Sequence, residues 1–187
     1  VVNMIFDGLF RITPEMELVP DLAEGYKVSK SGLEYTFTLK KELYWHDGKP
    51  ATAHDVKFTF DAIIDPKTNT VRRSQFLVEG KPIEWTVIND RTIKATLPAP
   101  FAPFLSTLVM EIIPKHIYEN KDINTHPNNR KPIGTGAFVF VDWKTGQYVS
   151  LKRNTKFHRG VPKLKQIIYK IIPDTNTSLS AFEKGEL

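Results

Sequence analysis

The sequence has no cysteine among its 187 residues. Disulfide staples, thiolate catalysis and cysteine-ligated zinc are therefore excluded. The absence does not locate the protein, because a cysteine-free chain suits an oxidising compartment as well as a reducing one. Long apolar runs are missing too. No stretch approaches the roughly 18 residues that a membrane-crossing helix needs. Val1-Val2-Asn3-Met4 holds no basic segment ahead of an apolar core, so no signal peptide is expected at this start. Repeats of fixed period and low-complexity tracts are lacking as well. The remainder is ordinary. Hydrophobic residues make up 41% and charged residues 25%, which excludes wholesale disorder. The length suits one domain, or one with an appendage.

The net charge of +5 is unevenly spread. Residues 1–64 carry 7 basic and 10 acidic groups, residues 65–133 carry 10 and 7, and residues 134–187 carry 9 and 4. The bases stand singly along strand-like segments instead of clustering on one element with aromatics between them. That pattern describes a solvated basic face, and no nucleic-acid partner is expected.

Patterning predicts strands with helices between blocks of them. Val1–Phe6 resembles a last helical turn, and a short strand follows near Leu9–Ile12. Strands are predicted at Tyr26–Ser29 and Glu34–Lys40, where Tyr35, Phe37 and Leu39 alternate with Glu34, Thr36, Thr38 and Lys40. Asp47-Gly48 marks a turn. Thr52 is an N-cap and Asp55, three residues on, completes a capping box. Val56, Phe60, Ile63 and Ile64 then face a core until Asp65-Pro66 stops the helix. Residues 67–82 form a short helix or ordered loop. Ile83–Ile88 and Thr92–Leu97 make a hairpin, Ala102–Val109 an apolar helix, Lys115–Tyr118 a helical turn, and residues 120–132 an exposed loop. Strands follow at Ala137–Trp143, Tyr148–Arg153 and Gln166–Ile172. A last helix is capped by Asp174 or Thr175 and runs to about Lys184, with Gly185 after it. Strand blocks separated by helices indicate an α+β fold with mixed sheets, not a doubly wound sheet. The chain begins inside a helix and ends at Leu187 where another strand is expected, so both ends read as cut.

Few residues invite a chemical reading. His46-Asp47 and His54-Asp55 lack the convergent spacing of a metal site, and turn closure and helix capping account for them. Gly134-Thr135-Gly136 lacks the further glycine of a dinucleotide loop and the Lys-Ser/Thr of a P-loop, and reads as a backbone bend into a strand. No nucleophile elbow and no Ser-x-x-Lys motif is present. No enzyme activity, cofactor or metal is expected. Trp45, Trp85 and Trp143 read as core residues. Arg72, Arg73 and Phe76 are the most informative polar-aromatic group, since guanidinium binds carboxylate bidentately and a ring offers a flat wall. The same three residues also suit a solvated surface.

Several stretches, in order and over nearly the whole chain, resemble the solute-binding proteins of family 5, the dipeptide-, oligopeptide- and nickel-binding components of ABC importers. They are Phe6-Asp7-Gly8-Leu9-Phe10, Leu22-Ala23-Glu24-Gly25-Tyr26, Leu33 to Lys40, Trp45 to Phe60, Pro132 to Phe138, Leu151-Lys152-Arg153-Asn154, Ile171-Ile172-Pro173-Asp174 and Leu179 to Leu187. The resemblance implies a periplasmic-binding-protein type II-like architecture, here incomplete, as the N-terminal part of a bilobal protein. Residues 1–132 would be a small extra α+β domain with a leading lobe strand. Residues 133–187 would be part of the first ligand-binding lobe, the second lobe being absent. The resemblance also implies a short peptide or similar solute as ligand, lobe closure, and delivery to an ABC transporter permease. The location would be periplasmic or extracytoplasmic, with membrane attachment through the permease or, as a lipoprotein, a lipid anchor. The loop with Arg72, Arg73 and Phe76 would reach the ligand cleft, and Asp7, Gly8 and Leu9 would lie beside an extended ligand. A ligand-sensing regulatory domain and a binder of nickel chelate or oligosaccharide are the alternatives.

Overall fold

The structure is a computed structural model that describes residues 1–185. The predicted end at Leu187, the strand expected beyond it and the last two residues of the Leu179–Leu187 stretch lie outside the described residues. The chain opens with one helical turn, α1 (Val2–Ile5), and a hairpin of β1 (Phe10–Ile12) and β2 (Leu18–Pro20). Then come β3 (Ala23–Val28), β4 (Glu34–Leu39) and α2 (Ala53–Ile64). A 3₁₀ turn at Arg73–Phe76 leads into a two-residue hairpin of β5 (Leu77–Val78) and β6 (Lys81–Pro82). A longer hairpin follows, β7 (Glu84–Asn89) and β8 (Thr92–Thr96). Two single turns, α3 (Phe104–Thr107) and α4 (Lys115–Tyr118), precede β9 (Phe138–Lys144), β10 (Tyr148–Arg153), β11 (Gln166–Lys170) and α5 (Thr175–Glu183).

The larger core lies between α2 and an antiparallel sheet in the order β3-β4-β8-β7. Alternation on β4 turns Phe37 and Leu39 inward, where Phe37 meets Phe10 and Phe104 edge-on. Phe60 of α2 stacks on Trp85 of β7 with ring centroids 4.2 Å apart and planes within 7°. The α2 N-terminus has the predicted capping box. The Thr52 N–H donates to Asp55 Oδ2 at 2.8 Å, and the other Asp55 oxygen accepts the Lys115 N–H at 2.8 Å. That second bond ties α4 to the start of α2.

A smaller core lies on a second antiparallel sheet, ordered β11-β10-β9. Leu151 and Phe138 pack there against Ile5 of α1, so the chain's first turn joins this sheet and not the larger one. Close backbone approach fixes the join. A Cβ on Gly134 would sit 1.9 Å from the Ile5 carbonyl oxygen, and one on Gly136 would sit 2.6 Å from the Met4 carbonyl oxygen. The Gly-Thr-Gly bend is therefore small because another strand of backbone passes over it.

Two expectations change, and one strand lies where none is predicted. The helix expected over Ala102–Val109 is a single turn, because Leu108 to Ile112 pair instead with the chain near Gly8. The Phe10 N–H donates to the Leu108 carbonyl at 3.1 Å and the Ile112 N–H to the Asp7 carbonyl at 2.9 Å. Strand β2 escaped notice because its three residues have no buried alternation of their own. Trp45 and Trp85 are buried, but Trp143 is 38% exposed and lies under the Arg130 guanidinium, 4.1 Å from its ring centroid. It is a surface cation–π partner and not a core residue.

Candidate ligand-binding cleft

A cleft of 420 Å³ opens between the turn joining α1 to β1, the extended segment after α3, and the loop after β10. Asp7, Gly8 and Arg11 line it from the first segment, Met110 and Glu111 from the second, Arg159 from the third, with Arg72 also on its wall. Gly8 has no room for a side chain, since a Cβ would lie 2.7 Å from the Met110 carbonyl oxygen. A larger depression, 780 Å³, lies between α2 and residues 118–124, and none of the residues singled out from the sequence borders it.

The cleft rests on a buried charge cluster. Asp7 and Asp21 have side chains only 3% exposed. His158 Nε2 lies 2.9 Å from Asp21 Oδ1. Arg159 spans both acids, each at 3.4 Å, and the Thr135 hydroxyl donates to Asp7 Oδ2 at 3.1 Å. Burial, reinforced by the charge of Asp21, holds the Asp7 carboxyl above its ordinary pKa, while His158, Arg159 and Thr135 pull it back. Burial also lowers the Lys40 ammonium beside this cluster, with the Arg159 and Arg11 charges adding to the effect and Asp21 opposing it. The cluster joins the two halves of the chain, because Asp7 and Asp21 come from its start and Thr135, His158 and Arg159 from its second sheet region.

His46 makes a second joint. Its Nε2–H donates to the Gly136 carbonyl at 3.0 Å, its Nδ1 accepts the Gly134 N–H at 3.3 Å, and its backbone N–H donates to the Gly134 carbonyl at 2.9 Å. Only the neutral ring with its proton on Nε2 satisfies both side-chain bonds. Burial lowers the His46 pKa accordingly, with the Gly136 bond and Asp47 opposing. At the neighbouring turn, burial alone would raise Asp47, but hydrogen bonds from His116 and the Lys49 N–H together hold its carboxyl below the usual value. The His54 ring forms an exposed contact with Asp90, 3.5 Å away. Among the described residues no group of three or more His, Asp and Glu converges to hold a metal ion.

The residues singled out from the sequence divide. Asp7, Gly8 and Arg72 line the cleft. Leu9 is fully buried, and its carbonyl accepts the Asp21 and Ala23 N–H groups. The carbonyls of Asp7 and Gly8 likewise accept backbone N–H groups, from Ile112 and Leu22. Arg73 donates to the carbonyls of Ile63, Asp65 and Thr68 at 3.2, 2.8 and 2.6 Å, closing the C-terminus of α2. Phe76 is 1% exposed and packs on Phe60 inside the larger core. Arg11, Asp21, His158 and Arg159 went unnoticed in the sequence. The only signal was an acid, Asp21, flanked by Pro20 and Leu22 in an otherwise apolar stretch.

The family model described as bacterial extracellular solute-binding proteins, family 5, middle, matches residues 17–187. Protein XP55 of Streptomyces lividans is 34% identical over 99% of this chain, and the oligopeptide-binding protein AppA of Bacillus subtilis is 32% identical over all of it. The chain spans about a third of the length of these curated relatives, 34% and 35% respectively. The NikZ structure from Campylobacter jejuni, in complex with Ni(L-His), superposes with a TM-score of 0.94 at 38% identity, over 100% of this chain and 37% of that one. The Bacillus subtilis AppA structure, in complex with a nonapeptide, gives 0.90 at 30% identity, over 99% of this chain and 37% of that one.

Proposed function

The chain belongs to the bacterial extracellular solute-binding proteins of family 5, and on that premise we propose that it forms one wall of a cleft that captures a short peptide. The observation that carries this reading is the cleft itself, lined by Asp7, Gly8 and Arg72 and braced from beneath by the buried charge cluster. Residues 1–132 would act as the small extra domain and residues 133–187 as part of the first ligand-binding lobe. Polypeptide outside these 187 residues would supply the second lobe. Ligand touching both walls favours the shut state, because only that state makes all the contacts. The closed protein would then deliver its solute to an ABC transporter permease from a periplasmic or extracytoplasmic position, held near the membrane by that permease or by a lipid anchor. The role is binding and not catalysis.

Calorimetric titration of the full-length protein with di- to pentapeptides tests the reading. Saturable micromolar or tighter binding of at least one length is expected, and no binding across the series would overturn it. A nickel chelate is the second reading, favoured by the likeness to NikZ with Ni(L-His). Adding nickel with L-histidine to the same titration separates the two.

A further inference from the structure

Arg11 of β1 lines the cleft, yet its side chain has no hydrogen-bond or ion-pair partner among the described residues. Its Nε is covered by protein and makes no hydrogen bond. The neighbouring acids are committed elsewhere, Asp7 to Thr135 and Arg159, and Asp21 to His158 and Arg159. Leaving a covered charged donor unpaired is unfavourable, and native structures rarely do so. The strand fixes the position of this residue, since Arg11 pairs with Val19 and the preceding Phe10 N–H is bonded to the Leu108 carbonyl.

Resting on the proposed cleft, we infer that Arg11 recognises a carboxylate of the solute. A guanidinium fork matches two carboxylate oxygens, and the half-buried setting strengthens the pairing relative to open water. The ligand would meet the terminal Nη groups first. A modest rotation of the side chain would bring Nε into the same fork. Glu111 also borders the cleft and has no ion-pair partner among the described residues, so an ammonium group on the same solute has a counterpart. Both charges together select a zwitterion of amino-acid or short-peptide type over a polyanion.

The test is calorimetry on the full-length protein with tri-L-alanine and with its C-terminal amide. The free acid is expected to bind about tenfold or more tightly than the amide, the usual worth of one charged hydrogen-bonded contact. In Arg11→Gln that advantage is expected to vanish, and in Arg11→Lys to survive in part. Comparing the two peptides on the unaltered protein keeps the test valid if a variant fails to fold. Equal binding of acid and amide would overturn the inference and leave the peptide reading standing. So would an acid preference that persists in Arg11→Gln. Binding of neither tripeptide would overturn the inference, whereas the peptide reading falls only if the whole di- to pentapeptide series fails to bind.

Discussion

At His46 a single proton decides whether the Gly134 N–H keeps its acceptor. Burial disfavours the charged ring, and protonating Nδ1 would in addition turn an acceptor into a donor facing the Gly134 N–H. The folded pKa lies below the ordinary 6.5, so as pH falls the unfolded chain binds the proton first. Stability contributed by the neutral ring is therefore present above about pH 6.5 and is lost as pH falls toward the folded pKa. Asp7 has the opposite sign, because its raised pKa makes the fold relatively more favourable as the carboxyl protonates. His46→Gln isolates the first effect. Its melting temperature is expected to drop less than the parent's between about pH 7 and about pH 5, and an unchanged drop would contradict the role. Gly134→Ala probes the same joint sterically. With 1.9 Å to a backbone oxygen there is nothing flexible to yield, and a loss of about 3 kcal/mol or more in chemical denaturation is expected. Gly134 could be read from the sequence as a bend. Its partner at Ile5 could not, because close approach of two distant backbones leaves no local pattern. The same holds for Asp7, Asp21, His158 and Arg159, which meet only after folding.

Elements were legible where their signals are local. Thr52 and Asp55 announce the start of α2 and Asp65-Pro66 its end, and both bounds hold. The β7–β8 hairpin and the β9–β10 pair follow from alternation around Asn89-Asp90-Arg91 and Lys144-Thr145-Gly146. The helix over Ala102–Val109 shrank because pairing with the chain near Gly8 outweighs helical propensity over so short a stretch. The polar loop before β5 hid two unlike arginines. Arg73 spends its donors on the end of α2, whereas Arg72 faces the cleft, and adjacency in sequence does not separate them. Capping should show its usual weight at α2. Thr52→Ala is expected to cost about 1 kcal/mol. Asp55→Ala should cost more, about 2–4 kcal/mol, because it leaves the Thr52 and Lys115 N–H groups unpaired at once. Urea unfolding of both variants measures the difference, and equal losses would deny Asp55 its link to α4.

For the whole molecule, the buried charge cluster and the His46 clamp tie the two sheet regions together, and the cleft opens beside the cluster. A single wall offers a ligand only part of its contacts, so the 187 residues alone are expected to bind peptide much more weakly than the full-length protein. Comparable affinity by calorimetry would contradict a two-walled cleft. The family could be read from the sequence because framework motifs such as Trp45 to Phe60 build the fold. The ligand could not, since the groups that would touch it sit singly on separate segments. Hydrogen–deuterium exchange on the full-length protein, with and without a saturating peptide, tests the central claim most directly. The account predicts slowed exchange at residues 7–12, around Arg72 and at 109–111, with little change in β9 to β11. Saturating ligand that leaves those three segments unprotected would show that the solute binds elsewhere.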